Sequence, residues 1–487
     1  MAASEQTLEA LHQTATSIFV DALHACNIET AFDRRILFEG DKLHRLIPAG
    51  NGPQTVDLKE YRRIFVLAIG KAAVPMLEIL LERMPRRLGL SVICCAPNLP
   101  AKRNWLIRYF EGGHPLPNED SFAAARAALA LLKKARKDTL VIYLISGGGS
   151  ALFDLPLDPA ISLEDTIAFH QALIGCGAPI GEINTIRKHF SAVKGGRLAI
   201  AAATAAKLSI LLPDVPLHSL DALSSGPTTP DDSTVEDVRA LLTKYDLLRQ
   251  FPPSVAAFFN LKDLPESPGN KVHRPFVSRM PWSQGRALDL RKAVSLQMKG
   301  EGEAFRDSMF ETLLSSHDLV ESARVRAEEA GFYTEVDNAC DDWDYAEAAD
   351  YLMKRFNELR AEHKRCCLIS GGEVTVNIDR TPGAGGRNQQ FALACALQLS
   401  KLANQGEGTQ LAVLSAGSDG IDGNTRSAGA IADVTTVSRA VNFGYRPEEA
   451  LASFNACPLF TALGDTVVTG PTGHNLRDLR LLISEPD

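Results

Sequence analysis

Leu144-Ile145-Ser146-Gly147-Gly148-Gly149-Ser150 is the stretch on which the reading turns, an apolar run that stops abruptly in three glycines flanked by serines. Outward from it, residues 140–145 read as a buried strand, and a strand that empties into small residues offers backbone N–H groups to an anion, usually at the start of the next helix. Three glycines after a strand serve equally well as a tight turn, so the stretch gains its meaning from its surroundings. The same phrase returns as Leu368-Ile369-Ser370-Gly371-Gly372-Glu373.

Strand-like and helix-like runs alternate around the first copy. Residues 7–26 carry Leu8, Leu11, Ile18, Phe19 and Leu23 at helical spacing and predict an amphipathic scaffold helix. The run 63–69 reads as a buried strand that enters Gly70-Lys71 directly before a helical pattern. A lysine at a helix N-terminus gains nothing from the helix dipole, so Lys71 points to an anionic partner. Residues 90–95 predict a further strand, and Asn118 caps a helix through about residue 135. The alternation implies right-handed βαβ units, hence an α/β fold with a parallel sheet covered by helices on both faces.

Further on, residues 165–203 are mostly helical, broken near Gly175 and Gly177, and hold the best basic cluster of the chain around Asn184, Arg187, Lys188 and His189. Asn184, Arg187 and Lys188 are the candidate substrate-binding residues; a solvated helix face is the competing interpretation of such a run. Asp214 follows the strand 208–212, where a carboxylate can hold a metal–phosphate complex, act as a base, or merely cap a turn. Residues 250–300, rich in proline and without a clear period, predict a linker or domain boundary. The alternation then resumes at 310–314, with helices over 320–330 and 345–362.

Beyond the second serine-glycine turn, 374–378 alternates like a strand, and Gly385-Gly386-Arg387 opens a helix through residue 399. No acidic residue is adjacent to Arg387 in sequence, and its planar fork suits a phosphate or carboxylate. The strand 411–415 ends among Asp419 and Asp422, candidate ligands of a divalent cation, although the loop lacks the spacing and closing glutamate of an EF-hand.

Composition sets outer bounds. The 487 residues, 45% hydrophobic with mean hydropathy −0.04, suit about two to four ordinary globular domains. A net charge of −8 argues against a broad grip on nucleic acid or on an anionic membrane. Nine cysteines, adjacent only at 94–95 and 366–367 and never spaced Cys-x-x-Cys, predict buried thiols in a reducing compartment. Neither a secretory start nor a run of ~18 apolar residues is present, so a cytoplasmic protein is expected. Dinucleotide and P-loop fingerprints are absent, and Ser150 does not stand in Gly-x-Ser-x-Gly. The residues alone describe a phosphate-handling α/β enzyme.

In order along the chain, Gly70-Lys71-Ala72, residues 145–152, 182–198, 225–228, 369–375, 383–388, 419–423 and 463–472 together resemble the class II glycerate kinases, which carry a C-terminal MOFRL domain. The resemblance implies a Rossmann-like N-terminal domain with a mostly parallel sheet (1–250), a linker or irregular region (251–310) and a smaller α/β domain (311–487), with the active site in the cleft between them. It further implies ATP-dependent phosphorylation of D-glycerate, typically to 2-phosphoglycerate, with Mg²⁺. The family's active-site lysine falls on Lys71 and its arginine on Arg387. Ser146, Gly147, Gly148, Gly149 and Ser150, with Ser370, Gly371, Gly372 and Glu373, become candidate phosphate-cradling loops. Asp214 or Asp419 would orient the metal or accept the hydroxyl proton, with Asp422 as the second metal candidate. Pro213, Ser418 and residues 315–318 depart from the family pattern, which bears on substrate preference. No nucleic acid or membrane partner is expected, and a homo-oligomer is left open. The alternatives are a hydroxypyruvate reductase, disfavoured by the missing dinucleotide fingerprint, and a non-catalytic sugar-acid or nucleotide sensor.

Overall fold

The computed structural model describes residues 2–46, 54–85, 89–268, 305, 307–404 and 410–486. They form two compact units, Ile28–Leu313 and a discontinuous one made of Met1–Asn27 with Leu314–Asp487.

The Ile28–Leu313 unit opens with a small antiparallel sheet of β1 (Ile36–Glu39), β2 (Lys42–Arg45) and β3 (Gln54–Asp57). Its main sheet contains β4 (Arg63–Ile69), β5 (Leu90–Ala96), β6 (Ile107–Glu111), β7 (Thr139–Ser146), β8 (Ala206–Leu212) and β9 (Ser308–Thr312). The spatial order is β6-β5-β4-β7-β8-β9, with every neighbouring pair parallel. Counted within the sheet, that is the doubly wound order 3-2-1-4-5-6. All eight residues of β7 are buried, as expected for a central parallel strand covered on both faces, and its apolar run is continuous for that reason. One face packs Phe65, Leu67, Val141, Tyr143 and Ile145 against alanines of the helix Glu119–Leu132. Asn118 starts that helix with a capping box closed by Ser121.

A second core lies among the helices Leu163–Gly175, Ile180–Phe190, Val235–Lys244 and Pro253–Phe259, where Phe169 stacks on Phe190 with centroids 4.1 Å apart and Phe251, Phe258 and Phe259 close around them. The stretch 251–310, read from sequence as a linker, therefore starts inside a packed aromatic cluster. It also ends inside the unit, because β9 pairs in parallel with β8 rather than opening the next domain. Residues 269–304 and 306 of that stretch lie outside the described residues.

The other unit is built on a mixed sheet: β10 (Tyr333–Val336), β11 (Cys366–Gly371), β12 (Leu411–Gly417), β13 (Gly429–Asp433), β14 (Thr466–Val467) and β15 (Asp478–Ser484). The order is β10-β11-β15-β12-β13-β14; only β10 and β11 run parallel, and β15, last in sequence, lies between β11 and β12. The predicted strand 374–378 is an extended segment with a single bridge, Thr375 to Asp344, and Ile378 is exposed.

The helix Ala2–Ala25 departs from the expected N-terminal domain. It packs on the helix Ser316–Glu329 and on β12, and His12 Nε2 lies 2.8 Å from Asp433 Oδ2. Periodicity revealed its apolar face, with Leu11, Ile18 and Phe19 buried, but a periodic pattern does not say which core receives it. Replacing the fully buried Phe19 by Ala is expected to cost about 3–5 kcal/mol and to speed amide exchange in β12 and Ser316–Glu329 while β4 and β7 stay protected; hydrogen-exchange mass spectrometry checks this.

Candidate active site at the switch point of the parallel sheet

In the order above, connections leave β4 toward one edge of the sheet and β7 toward the other, so the crevice outside their carboxyl ends is where a doubly wound sheet binds ligands. Gly70-Lys71 follows β4, and Gly147-Gly148-Gly149-Ser150 follows β7. The two turns touch. The Lys71 N–H donates to the Gly147 carbonyl (2.9 Å), the Ala72 N–H to Ser146 Oγ (3.0 Å), and Ser224 Oγ donates to the Ser146 carbonyl (2.7 Å). Contact this close requires glycine: Gly70, at φ +119°, has no room for a methyl beside Ser146, and a methyl on Gly147 would overlap the Asp214 carboxylate. A methyl on Gly148 would stand 3.1 Å from Lys71 Cγ and 3.3 Å from His114 Cδ2. Lys71, Asp214 and His114 thus surround one glycine turn, with Lys71 exposed. Burial, then the nearby Lys71 charge, lowers the pKa of His114.

Beneath the turn lies a polar network. Ser225 Oγ donates to Asn184 Oδ1 (3.0 Å) and lies 2.8 Å from Ser150 Oγ, so Ser150 is the donor of that pair. Ser224 and Ser225 hold φ of 51° and 60°, left-handed values that cost a non-glycine residue about 1–3 kcal/mol and gather at functional sites. Lys194, fully buried, donates to the carbonyls of Phe153 (2.9 Å) and Gly149 (3.3 Å) and lies 3.7 Å from Asp154 Oδ1. Asp154 also accepts from Ser191 Oγ (2.6 Å) and lies 2.8 Å from His170 Nε2. Burial would raise the Asp154 pKa, but Lys194, His170 and Ser191 outweigh it and hold the carboxyl well below the usual range. Burial lowers the pKa of His170, and its Nδ1 has no hydrogen-bond partner, as befits a neutral ring.

Asn184 and Arg187 sit against this network; Lys188 does not. Its Nζ is 2.8 Å from Asp221 and 3.2 Å from Asp231, which outweigh burial and raise its pKa. Lys188 is neutralised in a structural ion pair.

The second serine-glycine turn belongs to the other unit. Gly371 N–H donates to Asn338 Oδ1 (2.7 Å), Gly372 N–H to the Asp478 carbonyl (3.2 Å) and Glu373 N–H to Asp341 Oδ1 (3.1 Å), while Ser370 Oγ is buried without a partner. Arg387 corrects the sequence expectation that it lacks an acidic neighbour: Asp478 takes its fork (2.6 and 3.0 Å), and Glu373 lies 2.7 Å from Nη2. Burial would lower its pKa, but the two carboxylates raise it. Both partners are distant in sequence, delivered by β15 and by the turn after β11.

Asp422 accepts the N–H groups of Asn388 (3.0 Å) and Gln389 (2.9 Å), capping the helix Arg387–Asn404, and burial pushes its carboxyl up to about 7. Asp419 Oδ1 accepts the Ile421 N–H (3.0 Å) in a tight turn. Among the described residues no group of three or more His, Cys, Asp or Glu is arranged to hold a metal ion. Asp422, with each oxygen taking an amide donor, suits capping better than metal ligation.

Residues 14–260 match a family described as a domain of unknown function, DUF4147, and residues 366–478 match the MOFRL family. A glycerate 2-kinase of Pyrococcus horikoshii is 32% identical over 427 residues, spanning 86% of this chain and 87% of that protein. The chain belongs to the glycerate kinase family that carries a C-terminal MOFRL domain. Another relative, the D-glycerate 2-kinase of Thermotoga maritima, is 31% identical over 422 residues, or 86% of this chain and 89% of its own. The crystal structure of glycerate kinase from Thermotoga maritima matches this family member with a TM-score of 0.73 at 27% identity, over 98% of this chain and 100% of that one.

Sequence reasoning passed over His114, Asp154 and His170 in this glycerate kinase family member, and it read Lys194 only as part of the basic cluster that continues from residues 184–189 through Lys194 and Arg197. His114 had a signal, because Gly112-Gly113 follows β6 as glycines follow β4 and β7. Asp154 and His170 carry none, since their link is a contact between side chains that no local pattern marks. Lys194→Met leaves the buried Asp154 without its cation and is expected to cost about 3–5 kcal/mol, read as a lower urea midpoint at unchanged slope.

Proposed function

We propose that the chain transfers the γ-phosphoryl group of ATP to D-glycerate, forming 2-phosphoglycerate. The observation that carries this reading is the glycine turn against Lys71 at the switch point of β4 and β7, in a chain whose family relatives are named for that reaction.

Phosphoryl transfer asks little covalent chemistry of a protein; it needs donor and acceptor in line and cations around the transferring oxygens. The turn 147–150 supplies amides at the start of the short helix Gly149–Leu152, whose first N–H groups have no carbonyl four residues back to bond. Lys71 adds an exposed charge beside them. Asp214, whose carboxylate lies against Gly147, would take the proton of the acceptor hydroxyl or hold Mg²⁺. Mg²⁺ binds through one or two carboxylates plus substrate phosphates, a demand that Asp214 and a nucleotide together meet. When bound, it would supply charge neutralisation at the phosphate oxygens.

Arg387 fits a positioning role in this scheme. Its fork is engaged by Asp478 and Glu373, so it fixes the turn 371–373 instead of offering a free charge. The nine cysteines are unbridged thiols, which supports a reducing, cytoplasmic setting, and among the described residues no helix is long and apolar enough to cross a membrane.

Purified protein with D-glycerate, ATP and Mg²⁺ is expected to yield 2-phosphoglycerate by phosphorus and proton NMR; absence of any phosphoglycerate would sink the reading, and NADH oxidation with hydroxypyruvate tests the reductase alternative. Lys71→Ala is expected to lower kcat about 100- to 1,000-fold at an unchanged melting temperature. Arg387→Ala, in contrast, strands the buried Asp478 and is expected to cost about 3 kcal/mol, the low end for a buried pair because Arg387 itself is partly exposed.

A further inference from the structure

The network under the glycine turn leaves one guanidinium without a partner of opposite charge. Asp154 is taken up by Lys194, His170 and Ser191. Lys194 lies 3.7 Å from Asp154 and has two carbonyl acceptors. Arg187 is left over. It is 8% exposed, its Nη1 reaches Asn184 Oδ1 only at 3.5 Å, its Nε has no acceptor, and among the described residues no carboxylate lies within ion-pair distance of it. Its neighbour Lys188, on the same helix, receives two carboxylates. A buried guanidinium with unspent donors calls for an anion from outside the chain.

The surroundings define which anion. A guanidinium fork matches two coplanar oxygens, the arrangement a carboxylate presents. Beside Arg187 runs the hydroxyl chain Ser150 to Ser225 to Asn184. Ser150 spends its proton on Ser225 and keeps an oxygen able to accept from a ligand hydroxyl. It also directly follows the glycines of the phosphate turn, so a hydroxyl beside a carboxylate bound here would be carried toward that turn.

We propose that Arg187, with Ser150, Ser225 and Asn184, forms the subsite for the carboxylate of the phosphoryl acceptor and restricts this family member to hydroxy-carboxylate acceptors. The proposal rests on the phosphotransferase reading for the identity of its ligand. Within it, Lys188 supports the helix and does not touch the acceptor.

Titration calorimetry on the full-length protein with D-glycerate, glycerol and ATP, each alone, tests it in the wild type, Arg187→Lys and Arg187→Met. The wild type is expected to bind D-glycerate and not glycerol. Affinity for D-glycerate should fall about tenfold in Arg187→Lys, which keeps the charge and loses the fork, and about 100-fold in Arg187→Met, with ATP affinity held within about twofold. Unchanged D-glycerate affinity in both variants overturns the proposal. So does an equal loss for ATP and D-glycerate, which would assign Arg187 to the nucleotide phosphates. Should Arg187→Met fail to fold, Arg187→Lys decides between the same outcomes. Wild-type protein that binds D-glycerate but forms no phosphoglycerate overturns the kinase reading and leaves the carboxylate site standing; turnover of glycerol as fast as D-glycerate does the reverse.

Discussion

The amide of Lys71 reaches the carbonyl of Gly147 across the gap between β4 and β7, and the rest of the candidate site depends on that contact. Two chain segments leaving neighbouring parallel strands in opposite directions normally diverge. Here they are drawn together because Gly70 and Gly147 leave no side chain in the way, and because Ser146 and Ser224 stitch the crossing from below. Lys71, Asp214 and His114 can then surround the same turn although they come from three different strand ends. The glycines do more here than permit a bend; they set how closely charged groups approach.

A second constraint is electrostatic. The buried charges beneath the turn belong to one cluster, in which Asp154 serves Lys194, His170 and Ser191 together. Burying such a group is costly unless every partner is present, and a network of this kind fixes one arrangement of the loop above it. The other unit solves a similar problem differently: Arg387, Asp478 and Glu373 form a local cluster with an excess of negative charge, and Asp422 relieves its own burial by capping a helix and taking up a proton near neutral pH.

Much of the first sheet was legible because β4, β5, β7 and β8 are largely apolar runs, and β4, β7 and β8 lead into Gly70-Lys71, Gly147 and Pro213-Asp214, endings that mark the ligand side of a parallel sheet. Illegible from sequence were the facts that depend on which segment meets which. β9 is short and follows a long proline-containing stretch, so nothing local assigned it to the first sheet. The segment 374–378 alternates as a strand should, yet finds no free sheet edge beyond one bridge at Thr375. The acidic partners of Arg387 lie on β15 and after β11, too far along the chain for a reading based on adjacency to find them. Lys188 and Arg187, neighbours on one helix with similar local sequence, part company only through Asp221 and Asp231.

The position of β15 has a consequence for how the protein is made. The last strand of the chain lies at the middle of the second sheet, between β11 and β12, and the first helix of the chain rests on that same unit. The Ile28–Leu313 unit holds all of its own strands and can close while synthesis continues. The helix Ala2–Ala25, made before that unit, has no resting place until the elements of Leu314–Asp487 on which it packs have been made. The apolar face of that helix therefore stays uncovered while everything between is made, an exposure that favours association with other apolar surfaces.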